Sequence, residues 1–201
     1  SGFWGLWYQR IFPKTKCDVV LSTHDHFDHN AFDRVDAPMK LDRMAGKFQL
    51  ADFTIEGFAD KHTTRGSTGI LFDELGIEKN PPDNVAILDN TMYLITVGGI
   101  KFLFYGDNRA NCPSETLAKI GKVDVLIIPI DDSLHLYTYP ETEEIIKKFG
   151  TPIVVPCHYL NRGISSTCST LLDCTKWIET HDTEQTEGCV RVFTADEIAK
   201  Y

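Results

Sequence analysis

The sequence predicts an α/β (α+β) fold in which two sheets pack face to face and helices lie outside them. Two observations carry that expectation. Up to Tyr105 the chain reads as a series of short strands, whereas beyond it strands and helices alternate. That order suits a sheet sandwich covered by helices. The length of 201 residues suits one domain with a real core, so residues 1–201 are read as a single unit.

Residues 3–12 are unusually aromatic, with Phe3, Trp4, Trp7, Tyr8 and Phe12. Large aromatics most often serve as buried area, so packing on the core or on another subunit is preferred to a substrate-pocket wall. Residues 18–22 follow as a buried strand. Beyond a polar turn, residues 31–35 suit a short helix with Asn30 as its N-cap. Strand-like runs come next at 39–41, 48–50 and 53–58, the last alternating in polarity. Residues 75–84 are rich in Gly, Pro, Asn and charge and read as an exposed insertion. Strands at 85–88, 92–97 and 101–105 follow, the last two joined as a hairpin by Gly98 and Gly99.

The second half opens with a helix over 113–120 that begins at Pro113. A buried strand at 123–130 leads to a helix over 140–149 closed by Gly150. A buried strand at 153–156, an amphipathic helix at 171–180, a strand at 190–193 and a short helix at 195–200 complete the chain.

Composition narrows the function. The net charge of −9 argues against a nucleic-acid surface. No stretch approaches the roughly 20 apolar residues of a membrane span. The six cysteines lack Cys-x-x-Cys spacing and read as free thiols in a reducing, cytoplasmic compartment; a Cys168–Cys174 bridge is expected only if the protein is exported. No signal-peptide pattern opens the sequence, although Ser1-Gly2 resembles a cut end and leaves a removed leader open.

The chemistry concentrates in residues 19–30, Val-Val-Leu-Ser-Thr-His-Asp-His-Phe-Asp-His-Asn. An apolar strand stops there and at once presents His24, Asp25, His26, Asp28 and His29. Imidazole and carboxylate together suit a divalent transition metal. Residues two apart in an extended segment point the same way, so His24 and His26 can grip one ion. Asp28 and His29 stand past the bend and can face a second. Three further strands end in residues of the same kind: His62, Asp107 and His158. A lone histidine at a strand end is usually structural, and the shared placement is what carries the reading.

The segment His24-Asp-His-Phe-Asp-His29 after an apolar strand, with His62, Asp107 and His158 downstream, resembles the metallo-β-lactamase superfamily. Gly57-Phe-Ala-Asp-Lys-His62, Phe104-Tyr-Gly-Asp107-Asn, Ile128-Pro-Ile-Asp-Asp and Val155-Pro-Cys-His158-Tyr are most similar to its branch near ascorbate-6-phosphate lactonase and N-acylphosphatidylethanolamine phospholipase D. The resemblance implies a four-layer αββα sandwich with the site at one edge of the sheets. It implies that His24, His26 and His62 bind one ion, that Asp28, His29 and His158 bind a second, and that Asp107 bridges them. Members normally carry additional strands before the histidine motif, and few residues precede His24 here. Either the native N-terminus extends beyond this sequence or the domain is a reduced form, and in both cases the open sheet edge is expected to be covered by the aromatic segment or by another copy in a homo-oligomer.

The implied activity is hydrolysis of an ester, lactone, amide or phosphodiester of a small-molecule substrate. Two ions would lower the pKa of bound water from ~15.7 toward ~7, supplying hydroxide at neutral pH. Against Asp28, Asp107 and that hydroxide they would leave the site about one unit positive, favouring an anionic transition state. Asp28 and Asp107 are thus the catalytic candidates. Zn²⁺ is the default for this ligand set, and Mn²⁺, Fe²⁺ and Ni²⁺ also suit N/O ligands. Some relatives with a carboxylate at the second motif histidine do iron redox chemistry; His26 stands there and favours hydrolysis. A non-catalytic metal-binding scaffold or sensor and an iron redox protein remain the alternatives.

Supporting roles fall to four residues. Asp25 and Asp60 either orient ligand histidines or face solvent. His135 either lines the pocket as a proton donor or substrate contact or is structural. Tyr159 either supports a developing oxyanion or packs in the core. Arg65 and Arg109 are candidates for an anionic substrate, with simple solvation the commoner fate of an arginine.

Overall fold

The computed structural model describes residues 8–10, 13–26, 28–63, 80–83, 89–133, 136–188 and 190–200. Most of the aromatic segment and of the insertion, the expected strand at 85–88, Arg65 and His135 lie outside these residues.

The elements run β1 (Thr15–Lys16), β2 (Val19–Ser22), a 3-10 turn (Phe32–Arg34), β3 (Val35–Asp36), β4 (Met39–Asp42), β5 (Gly46–Leu50), β6 (Phe53–Lys61), β7 (Asp89–Val97), β8 (Ile100–Phe104), α1 (Ser114–Ile120), β9 (Val125–Pro129), α2 (Tyr139–Phe149), β10 (Ile153–Cys157), α3 (Thr175–Ile178) and α4 (Ala195–Ile198). Six strands form one mixed sheet in the order β10-β9-β8-β7-β6-β5. β5 to β8 are antiparallel neighbours, and β8, β9 and β10 are parallel. Two short parallel pairs, β1 with β3 and β2 with β4, share one offset and together make a narrow second ribbon.

The two-residue period of a strand decides the layers. Along β7, Met92 and Leu94 join Leu103, Leu126 and Ile128 in a core completed by Ile120, Ile145, Phe149 and Trp177 from three helices. The alternate residues Tyr93 and Ile95 join Ile55 and Phe104 against Val19, Leu21, Met39 and Leu41 of the ribbon. The large sheet is thus buried on both faces, with helices on one side and strands on the other. This is the α/β arrangement expected.

Four local expectations need correction. In place of the expected helix, Phe32–Arg34 form a single 3-10 turn with Ala31 rather than Asn30 at its N-cap position and no side-chain cap; the Asn30 Nδ2 donates to Asp25 Oδ1 at 2.8 Å. Strand β6 runs on to Lys61. The helix expected at 171–180 is reduced to α3. Leu172 O accepts from Leu160 N at 2.9 Å and Asp173 Oδ1 from Thr175 N at 2.9 Å, so a side-chain bond and a backbone bond to a distant segment replace the first helical turn. No strand forms at the described residues 190–193, where Val190 and Val192 are 77% and 69% exposed. Helix α2 fares better, since Glu141 Oε2 accepts from Thr138 N at 2.8 Å and Gly150 closes the helix in the left-handed region. The five described cysteines are free thiols. No helix among the described residues is long and apolar enough to cross a membrane.

Candidate metal centre

Sheet topology brings the chemistry together. β6, β8, β9 and β10 all run in one direction, so their C-terminal ends share an edge. His62 follows β6, Asp107 follows β8, Asp131 follows β9 and His158 follows β10. The second ribbon reaches the same edge, because Thr23 O accepts from Thr91 N at 2.8 Å, near the start of β7. Thr63 N donates to Asp107 O at 2.9 Å, and His62 forms a β-bridge with Asn108.

The histidine motif folds back on itself. His29 N and Asn30 N both donate to His26 O at 2.9 Å, and the bend returns the His29 ring to 4.2 Å from that of His24. Two groups of ligand-type atoms result. His24, His26, His62 and Asp107 make one, and His29, Asp107 and His158 the other, with atoms lying within 4.8 Å of one another in each. Asp107 Oδ2 stands 3.6 Å from His24 Nε2, 3.3 Å from His62 Nε2 and 3.5 Å from His158 Nε2. Six of the seven expected ligands are gathered. Asp28 falls outside both groups, with its Oδ2 3.4 Å from His29 Nε2 and its carboxylate hydrogen-bonded by the Tyr8 hydroxyl.

The backs of three of the rings are held. Thr23 Oγ1 lies 2.9 Å from His24 Nδ1. The Thr63 carbonyl faces His62 Nδ1; a carbonyl only accepts, so Nδ1 is the donor there and Nε2 is turned toward Asp107. His158 Nδ1 stands 3.5 Å from Asp131 Oδ2. His158 itself has φ of 52°, a left-handed conformation that costs a non-glycine residue about 1–3 kcal/mol.

Protonation divides the two groups. Burial lowers His24 to about 2, and the neighbouring rings add to this against the pull of Asp107. Burial lowers His26 as well. Burial also opposes charge at His158, but Asp107 and Asp131 outweigh it and raise that ring to about 9. His29 is raised, against burial, by Asp107 and Asp28. Asp107 is driven far below the carboxylate range, against burial, by His158 and His29.

The residues fit a divalent cation. His24 Nε2, His62 Nε2 and Asp107 Oδ2 are buried and have no hydrogen-bond partner. Such atoms cost about 1–3 kcal/mol each when left unpaired. They converge, and all three are Lewis bases, so one cation satisfies them together.

The supporting candidates separate clearly. Asp25 is exposed, accepts from Asn30 and lies 3.9 Å from Arg43 Nη1; it ties the loop rather than a ligand ring. Asp60 is bonded by Asn108 Nδ2 at 2.7 Å and Arg109 Nε at 2.9 Å, so it braces the Asp107 loop instead of a histidine. Arg109 is 2% exposed and holds Asp60, Asp83 and the Pro81 carbonyl. It is a structural clamp, not an anion contact. Tyr159 packs against the helix-side core and also lines the cavity described next.

A cavity of about 380 Å³ opens beside the second group, lined by Asp28, His29, Asp107 and His158 together with Tyr8. Tyr8 is thus a wall of the site, where core packing was the preferred reading of its segment. Asp131 was also missed. Its signal was present, since it ends a buried strand as the other candidates do.

Over residues 7–158 the sequence matches the family model described as the beta-lactamase superfamily domain. The chain belongs to the β-lactamase superfamily. Its fold is similar to that of a protein from Thermotoga maritima described as a Zn-dependent hydrolase of the metallo-β-lactamase superfamily. The TM-score is 0.59 at 17% identity, covering 86% of this chain and 73% of that one. An isothiocyanate hydrolase from Delia radicum gut bacteria gives a TM-score of 0.51 at 16% identity, covering 81% and 68%. A metal-dependent hydrolase from Parabacteroides distasonis gives 0.50 at 19% identity, covering 74% and 67%. These likenesses show the superfamily fold. No curated protein matches the chain.

Proposed function

We propose that this β-lactamase superfamily domain is a dinuclear metal-dependent hydrolase acting on an ester, lactone, amide or phosphodiester of a small substrate. The carrying observation is the sharing of Asp107 between two ligand groups. His24, His26 and His62 would hold one ion, His29 and His158 the other, and Asp107 both. Two divalent ions supply an acidified water and polarise the attacked oxygen. Zinc is the first metal to test, in keeping with the description of the Thermotoga neighbour.

The chain's own residues set the geometry. Thr23, the Thr63 carbonyl and Asp131 fix the three rings from behind. Asp28 is kept ionised by its hydrogen bond and charge contact with His29, against burial. It faces the cavity and is the group placed to hold the proton that hydrolysis releases, or to complete the second ion's ligands.

Metal analysis of the purified chain should find about two ions per molecule, the number a shared-carboxylate site requires. His26→Ala should abolish turnover with the fold kept. A folded, metal-free protein that no divalent metal reconstitutes would sink the proposal.

A further inference from the structure

A second, smaller cavity of about 240 Å³ adjoins the first, and the two share three lining residues, Tyr8, Asp28 and His29. The larger is walled by Phe104, Pro129, Pro156, Ile164 and Leu171. The smaller is walled by Val20, Leu21, Ala31, Phe32 and Val35. No lysine or arginine is among the described residues lining either one. Sites for phosphate groups ordinarily present such cations, and among the described residues the buried arginine near the centre, Arg109, is committed to Asp60 and Asp83.

From this arrangement we infer that the substrate is an uncharged, open-chain carboxylic ester or amide, apolar on both sides of the cleaved bond. One arm lies in each cavity, and the carbonyl lies between them beside His29 and Asp28. Water adds across the acyl C–O or C–N bond. Its oxygen goes to the carbonyl carbon, and a proton goes to the departing alcohol or amine. The inference rests on the hydrolase reading and selects within it, setting phosphodiesters and compact lactones aside. Apolar walls reward added methylenes on either arm until its cavity is full.

The test uses the full metal-loaded chain and two ester series, one lengthened in the acyl arm and one in the alcohol arm, with bis(p-nitrophenyl) phosphate as the anionic comparator. We expect kcat/KM to rise roughly fourfold per methylene in both series, the equivalent of about 0.8 kcal/mol per buried CH₂, and the phosphate diester to be the poorest substrate. Leu171→Asp should flatten the dependence on one arm only, and Val35→Asp the dependence on the other. Better turnover of the phosphate diester, flat series, or both variants flattening the same arm overturns the inference and leaves the hydrolase reading standing. Binding of undecan-6-one, a ketone of the same shape with no acyl C–O or C–N bond to cleave, followed by calorimetry, gives a readout without turnover. Binding weakened at least tenfold by each variant, in a protein that hydrolyses nothing, supports the two-cavity site and removes the hydrolase reading. No binding to the parent protein overturns the two-cavity site.

Discussion

Asp131 Oδ2 stands 3.5 Å from His158 Nδ1, behind a ring whose Nε2 faces Asp107 Oδ2 at the same distance of 3.5 Å. Its other oxygen accepts from Ser133 N at 3.1 Å, which anchors the carboxylate. A carboxylate behind a ligand imidazole fixes the ring and makes it a better donor. Asp131→Asn should weaken the second ion by about 10- to 100-fold and leave the first nearly unchanged. Titration against a chelator of known affinity resolves the two steps. An equal loss at both would show that Asp131 acts on the fold rather than on His158.

The two ions should respond differently to pH. An imidazole must lose its proton before it binds a metal. His158 is raised to about 9, so at pH 7 its ring carries a proton that the ion must displace. Affinity at the second group should therefore fall at least tenfold for each unit below that value, since His29 is raised as well. His24 is lowered to about 2 and His26 is lowered as well, so affinity at the first group should fall less steeply between about pH 6 and 8 than at the second. Cobalt or zinc titrations across that range check the contrast. Parallel losses at both sites would contradict it.

Gly106 connects β8 to Asp107 with φ of 62°. A Cβ there would meet Asn90 Oδ1 at 2.7 Å and Thr23 Cβ at 3.0 Å. Both neighbours serve the site, since Thr23 sits behind His24 and Asn90 Nδ2 donates to Asn108 Oδ1 at 3.1 Å. Gly106→Ala should cost about 1–3 kcal/mol of stability, read as a lower urea midpoint, and should weaken both ions through displacement of Asp107. Normal metal affinity in the variant would show that the loop absorbs the extra carbon.

Tyr93 joins the ribbon to the large sheet through its hydroxyl. That group accepts from Met44 N at 2.9 Å and lies 3.2 Å from Ser22 O and 3.3 Å from Leu41 O. Tyr93→Phe leaves the ring packing in place and strands the Met44 N–H, at a cost of about 1–3 kcal/mol. The urea midpoint should fall with the slope unchanged. Because Ser22 leads directly into Thr23 and His24, the variant should also lose part of its metal affinity at the first group. An unaltered midpoint would mean that water replaces the hydroxyl.

The sequence by itself determined the elements that carry the chemistry. An apolar run that stops at a polar turn is a local signal, and His24, His62, Asp107 and His158 each follow one. Alternation along residues 53–58 likewise marked the strand that became β6. Segments whose conformation depends on what they meet were not legible. Residues 171–174 are held by Leu160 and by the Asp173 side chain instead of a helical turn, and residues 190–193 find no strand to pair with among the described residues. Tertiary structure alone decided the partners. Asp131 stands behind His158, whereas Asp60 pairs with Asn108 and Arg109, and Asp28 turns to His29 and Tyr8. A carboxylate in a sequence carries no mark of the group it will meet. That depends on which strand ends share an edge, which is set by pairing between segments far apart in the chain.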